Sequence, residues 1–333
     1  MRRRDFIKVI GGSFAAWPLV ARAQQEGRVQ RIGLLINSLE NDLAQQETVN
    51  GLRKTLAQLG WIEGRNLRTD LRWGAGDLDR LEAHARDLVS LTPSVIVTDA
   101  GAATRAAQRA TQTIPIVYLA GGDPVVIGVV RNIARPEGNV TGFNGVQPSL
   151  AGKWVELLKE AAPHITRVAA LYDPELLSAQ MRSSYMSVIT AACSALAIQV
   201  SEMPVHDPLT IVRAIDAFAA KPNGGLIVLP TSTTLGANRD TILRLTEQQR
   251  LPAIYTSRNL VRSGGLMSYG ADSANRTQSA ASYVDRLLRG ATVSELPVQF
   301  PTKFELVVNL RTAKIIRLDM PAFLRLRADE VIE

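Results

Sequence analysis

The sequence predicts an α/β protein made of two doubly wound parallel-sheet lobes with a ligand cleft between them. Three observations predict it. Short, near-continuous apolar runs, the signature of strands buried on both faces, recur along the chain. Amphipathic helical periodicities stand between them, so strand and helix alternate as in a layered α/β sheet. The series also runs twice. One set ends near Gly142, the stretch Asn139–Pro148 is rich in Gly, Asn and polar residues, and a second set begins at Trp154–Leu158. With 333 residues, 46% of them hydrophobic, the chain is long enough for two lobes with cores of their own.

The first element reads as a removable export signal rather than as part of the fold. Arg2, Arg3 and Arg4 precede an apolar stretch from Val9 to Val20, shorter than the ~20 residues that span a bilayer. Ala21-Arg22-Ala23 is the small-x-small pattern after which a signal peptidase cuts, leaving Gln24 as the new N-terminus. Arg3-Arg4-Asp5-Phe6-Ile7-Lys8 fits the twin-arginine pattern Arg-Arg-x-Phe-Leu-Lys with Ile for Leu, although Arg2 stands where Ser or Thr is usual. No cysteine lies at the cleavage site, so no lipid anchor is expected, and the mature chain is expected in the periplasm. Residues 1–23 carry a local charge of +4, which leaves only +3 of the formal +7 for the remainder. The remainder has no basic run and no basic patch interleaved with aromatics, so nucleic acid is not an expected partner. Nor does any stretch suit a membrane-spanning helix.

In the mature chain the predicted strands are Ile32–Ile36, Val95–Thr98, Ile116–Leu119, Val168–Tyr172, Leu226–Leu229, Ala253–Tyr255 and Leu266–Tyr269. Val49, Leu52, Leu56 and Leu59 keep helical spacing up to Gly60. Leu78, Leu81, Ala85 and Leu88 do the same after Asp77, an N-cap residue type. Asp123-Pro124 reads as a cap and first-turn proline for a helix from Val125, and Ile242 and Leu245 open a helix stopped by Leu251-Pro252. The single cysteine, Cys193, lies in the apolar helical run Val188–Leu196 and is expected to be a buried, inert thiol.

In doubly wound sheets ligands bind beyond the carboxyl ends of the strands, so the residues just past each strand are the ones to examine. They are small and polar. Asn37 and Ser38 follow the first strand; Asp99, Gly101 and Ala102 follow the next; Gly121 follows Leu119. In the second half Asp173, Thr231, Ser232, Tyr255, Ser257 and Tyr269 hold equivalent places. Free N–H groups at helix starts suit an anion, hydroxyls and carboxylates suit an ammonium, and tyrosines can wall an apolar part. Turns after strands favour Gly, Asp, Ser and Thr on conformational grounds as well, so each position also has a purely structural reading.

No catalytic motif emerges. The sequence holds no Gly-x-Ser-x-Gly elbow, no phosphate-binding Gly-x-x-x-x-Gly-Lys-Ser/Thr loop and no His-Glu-x-x-His. His84, His164 and His206 are far apart with no cysteine or carboxylate at ligand spacing, so no metal is expected. Ile36-Asn37-Ser38 replaces the glycine-rich turn of a dinucleotide site. No cofactor is expected, and the balance moves from enzyme to binding protein.

Several stretches in order carry a family resemblance. They are Leu59-Gly60-Trp61-Ile62-Glu63-Gly64-Arg65-Asn66-Leu67, Ile114–Val117 running into Gly121–Val125, Gly138-Asn139-Val140-Thr141-Gly142 and Leu251–Tyr255. Gly264–Gly270, Tyr283-Val284-Asp285, Pro301-Thr302-Lys303-Phe304-Glu305-Leu306 and Arg327-Ala328-Asp329-Glu330 continue them. On these the chain resembles, over essentially its whole mature length, the ABC-transporter substrate-binding proteins of the tryptophan/tyrosine type. The resemblance implies a type 1 periplasmic-binding-protein fold whose lobes close on a small ligand and present it to an inner-membrane permease driven by a separate ATPase. It implies three crossings between lobes, expected near residues 145, 270 and 300, dividing the chain into 28–144 plus 271–300 and 145–270 plus 301–333. An aromatic amino acid is the default ligand, and two departures bear on it. Relatives tend to have a small or apolar residue where this chain has Asp99, and a different pattern where it reads Ala271–Ser282. A sensor that reports ligand to a signalling partner instead of a permease is the alternative reading.

Overall fold

Gln30–Ile36 (β1) is apolar enough over its last five residues to be buried on both faces, and it forms an inner strand of a five-stranded sheet. The structure, a computed structural model, describes residues 29–119, 124–125, 127–145, 147–175, 177–230 and 238–333. The export-signal reading of residues 1–23 therefore lies outside the described residues, as do Gly121, Thr231 and Ser232.

Beside β1 lie Leu67–Trp73 (β2), Val95–Asp99 (β3), Ile116–Leu119 (β4) and Val140–Phe143 (β5), in the order β2-β1-β3-β4-β5 and all parallel. The helices Leu43–Gln58 (α1), Leu78–Ser90 (α2) and Ala100–Ala110 (α3) connect successive strands. The Asp42 carboxylate caps α1 by accepting from the Ala44 and Gln45 N–H groups, and Asp77 caps α2 through the Arg80 N–H, as its sequence position predicts. Among the described residues no helix extends from Val125. Its residues form one turn, in which the Val129 and Val130 N–H groups both reach the Pro124 carbonyl and Gly128 breaks the path at φ +73°.

The second sheet has seven strands, ordered β12-β11-β10-β9-β8-β6-β7. In chain order they are Arg167–Tyr172 (β6), Gln199–Pro204 (β7), Gly224–Val228 (β8), Ala253–Tyr255 (β9), Met267–Ala271 (β10), Phe304–Asn309 (β11) and Glu330–Ile332 (β12). Ala151–Ala161 (α4), Ala179–Ala195 (α5), Pro208–Ala219 (α6), Arg239–Gln248 (α7) and Arg258–Arg262 (α8) intervene before β10. Ser273–Leu288 (α9) follows β10, and Leu310–Ile315 (α10) and Ala322–Arg327 (α11) follow β11. The sheet is parallel except at β10–β11, which pair antiparallel with Gly270 opposite Glu305. Gly270 is obligatory there, because a Cβ would stand 2.1 Å from the Thr256 carbonyl oxygen.

One helix ties the two sheets into a single chain path. After β10 the chain leaves the second sheet, and α9 packs on the first. Ala280, Ala281, Tyr283, Val284 and Leu287 of α9 join Ile32, Leu34, Val95 and Val117 in one buried cluster. The Tyr283 ring lies 4.6 Å from that of Phe143, and its hydroxyl donates to the Pro297 carbonyl. The chain then runs beside β5, where the Gln299 N–H donates to the Gly142 carbonyl, and re-enters the second sheet at β11. The second sheet's core surrounds Trp154, Tyr172, Tyr185 and Cys193; the thiol is fully buried and its pKa is pushed up to about 11 by burial. Among the described residues no helix is long and apolar enough to cross a membrane.

Candidate ligand-binding site

The carboxyl ends of β1 and β3 lie side by side, since Leu35 is in register with Thr98. Asn37, Ser38 and Asp99 therefore emerge together, each more than nine-tenths buried. The turn out of β3 is tightly held. The Thr98 hydroxyl shares a hydrogen bond of 2.8 Å with Thr104, and Thr104 donates to the Ala100 carbonyl. Ala100 is forced to φ +67°, a strained conformation for a residue with a Cβ. Gly101 and Ala102 follow in the first turn of α3, half-buried.

Asp99 is the electrostatic centre of this end. Its carboxyl makes no capping bond to the first turn of α3 beyond the adjacent Ala100 N–H. Burial raises its pKa from 3.8 to about 6, against the pull of the Arg276 guanidinium and with help from the Asp42 carboxylate. Arg276, in the first turn of α9, is itself pushed down by burial and held up by Asp99, Asp272 and Glu305. No ion pair within 4.0 Å joins Asp99 to Arg276, so the two charges face one another without touching. Nearby, Asn37 Oδ1 and Gln45 Oε1 are buried with no hydrogen-bond partner. Buried polar atoms are ordinarily paired, which sets these two oxygens apart from most of their neighbours.

The second sheet contributes differently. Asp173 follows β6, is 2% exposed and accepts from the Glu175 N–H. His206 stands near it, so that Asp173, Glu175 and His206 present ligand atoms within 4.8 Å of one another. No sequence spacing announces this approach; the parallel pairing of β6 with β7 brings the three together in the fold. Glu175 and His206 are well exposed, and the contact of 3.9 Å is loose. Ser257 caps α8 through the Asn259 N–H. Tyr269 stacks on Phe304 at 6.0 Å, while its carbonyl accepts from the Trp154 indole. Tyr255 stands apart from the others. Its ring is 1% exposed within the core formed with Ile242, Leu245 and Leu251, and its hydroxyl bonds Thr246. Ile254 and Tyr255 alternate into the cores on opposite faces of the sheet, so the Tyr255 side chain packs within one of them instead of standing open at the strand end.

The structure adds residues that strand-end reasoning missed. Arg258 pairs with Glu305 at 2.8 Å and Glu330 at 2.5 Å, Arg262 closes on Glu330, and Arg258 Nε is buried without a partner. Asp42, Gln45 and Arg276 lie at the starts of helices, and Glu305 opens an antiparallel strand, so none follows a parallel strand. The spacing Asp272-x-x-x-Arg276 was the one visible signal. It marks a cap, with Asp272 accepting from the Asn275 N–H, and the helix turn that carries the arginine. A small polar cavity lies where the chain passes between sheets, lined by Asn144, Asp272, Arg276, Ser279, Gln299 and Lys303. Lys303 spans it with a 2.9 Å bond to Asp272. A wider opening, of about 680 Å³, lies elsewhere, beside Pro115 and Asn139 at the amino ends of β4 and β5.

Comparison with known proteins places this two-sheet fold. Residues 35–332 fit the family described as ABC transporter substrate binding protein. The chain belongs to this family. A tyrosine-binding protein of Clostridioides difficile (strain R20291) is 23% identical over 296 residues, covering 89% of this chain and 82% of that protein. Among solved structures, a conserved domain protein from Vibrio cholerae has a TM-score of 0.81 at 26% identity, covering 91% of this chain and all of the other. An ABC domain from Streptococcus pneumonia in complex with L-Trp also has a TM-score of 0.81, at 22% identity, covering 91% of this substrate-binding protein and 99% of that chain. The α/β fold of two parallel-dominated sheets is thus the type 1 periplasmic-binding-protein fold.

Proposed function

We propose that this substrate-binding protein is the periplasmic solute receptor of an ABC uptake transporter, closing on a small amino-acid-like ligand, with an aromatic amino acid as the first to try. The observation that carries the reading is the juxtaposition of Asp99, Arg276 and the orphaned Asn37 oxygen at the strand ends of the first sheet. Membership of the family and the tyrosine- and L-Trp-binding relatives support it. In this reading residues 28–144 plus 271–300 form one lobe, and 145–270 plus 301–333 the other. Asn37, Ser38, Asp99, Gly101, Ala102 and Gly121 serve from the first, with Asp173, Thr231, Ser232, Ser257 and Tyr269 from the second. A ligand that touches both lobes favours the closed state by its differential affinity, and a permease with its own ATPase receives that state. Residues 1–23 are a twin-arginine export signal cleaved after Ala23.

Thermal unfolding tests the ligand directly. An aromatic amino acid present at ~100 times its dissociation constant raises folded-state stability by roughly 2.7 kcal/mol. An absence of any shift with tyrosine, tryptophan and phenylalanine would remove the aromatic assignment.

A further inference from the structure

Asp99 and Arg276 differ from the other charged groups of the site in being left unspent. Asp42 caps α1, Asp272 caps α9 and binds Lys303, Asp173 holds its own turn, and Arg258 is clamped between Glu305 and Glu330. The Asp99 carboxyl has only the backbone N–H next to it, and the Arg276 guanidinium has no hydrogen bond and no ion pair within 4.0 Å among the described residues. α9 packs against β3, which brings the arginine to the carboxylate's end of the sheet, and a gap greater than 4.0 Å separates the two charges. An opposite-charge pair that sits close but open, in largely dry surroundings, is unfavourable unless a third body completes it.

The acceptors around Asp99 indicate which body. Asn37 Oδ1 stands at the neighbouring strand end, and Gln45 Oε1 lies one turn into α1, whose capping Asp42 is near enough to raise the Asp99 pKa. Together with the Asp99 carboxylate, which takes only the Ala100 N–H, they offer three acceptor groups with capacity to spare. An ammonium carries three donors and no acceptor. Arg276, in contrast, borders the small cavity where Lys303 already holds the Asp272 carboxylate, which leaves the guanidinium as the group there that can pair with a ligand carboxylate.

We propose that Asp99 and Arg276 are the specificity pair of this protein, Asp99 with Asn37 and Gln45 receiving the ligand's ammonium and Arg276 its carboxylate. The ligand class is then a zwitterion that bears both groups, and a compound missing either one is rejected by the group left unpaired. This rests on the amino-acid reading above and deepens it from ligand type to the atoms that select it.

The test is calorimetric titration of the full mature chain with the proteinogenic L-amino acids, then with the amine and the deaminated acid of whichever binds best. Asp99→Asn and Arg276→Gln are titrated with the same three compounds, and their melting temperatures are compared with the parent to show that they fold. The parent prefers the zwitterion to either analogue. Asp99→Asn weakens the amino acid and the amine by about 10- to 100-fold, the size of one charge-assisted hydrogen bond, while leaving the deaminated acid unchanged. Arg276→Gln weakens the amino acid and the deaminated acid and spares the amine. Should both variants weaken all three compounds equally, or keep the parent's affinity for the amino acid, the specificity pair is wrong and the amino-acid reading survives. Should no amino acid bind the parent, both fall together.

Discussion

At Asp99 the cost of building a binding site inside a folded domain is legible in one titration. Its folded pKa of about 6 lies above the ordinary 3.8, so between these values the folded state holds a proton that the unfolded state has lost. Stability therefore falls as pH rises from about 4 to about 6, by about 3 kcal/mol for this group, and levels off above. Asp99→Asn removes that slope. Denaturation followed across this range should find the variant less pH-dependent than the parent and more stable at pH 7. An identical slope in both proteins would mean that Asp99 is not the buried acid described. Protonation acts on the ligand as well, because an uncharged Asp99 facing Asp42 and Arg276 loses its attraction for an ammonium. Affinity for an amino acid is expected to drop at least several-fold between pH 7.5 and pH 5 in the parent and to stay flat in Asp99→Asn. The position of this residue was readable in the sequence from the run Val95–Thr98; its partner was not. Arg276 is 177 residues away along the chain, and only the packing of α9 on β3 brings them together.

Among the elements, those with continuous apolar runs were legible and those on edges were not. β1, β3, β4, β6, β8 and β9 are buried on both faces and announce themselves by composition. β2 and β7 are edge strands, half in water, and their sequences Leu67–Trp73 and Gln199–Pro204 mix charge with apolar residues, so no run survives to be read. β11 is masked for another reason: it is antiparallel to β10 and stands outside the alternation of strand and helix. The join between β9 and β10 shows how little freedom these elements have. Gly270→Ala would drive a methyl into the Thr256 carbonyl, next to Ser257 and Tyr269. A loss of about 1–3 kcal/mol in denaturant unfolding is expected, the scale of forced overpacking, together with weakened ligand binding. Unchanged stability would show that the strands can separate there.

For the whole molecule, the interleaved path of the chain decides how it responds to cutting and to ligand. Deleting residues 289–333 removes β11 and β12 from the second sheet, and it also removes Leu296, Val293 and Gln299, which close the first. Both sheets should therefore unfold, and circular dichroism of the truncated chain should show no cooperative transition; a persisting transition would mean that one lobe is self-sufficient. The Lys303–Asp272 bond lies at the passage between the sheets, with the cavity wall around it. It is exposed on the lysine side and screened by solvent, so its own worth to stability is small. The amount of the molecule that was legible follows from this arrangement. Alternation and repetition disclosed two sheets, but which segment returns to which sheet depends on contacts of long range that no local pattern encodes.

That return has a consequence for how the protein is made. The first sheet is complete in sequence by Phe143, yet its core lacks α9 until residue 288 has been synthesised, and the second sheet waits longer still for β11 and β12. On a ribosome, nearly the whole chain must emerge before either core can close, so apolar faces wait open throughout translation. Apolar faces that wait in this way are prone to associate with one another before the fold can close.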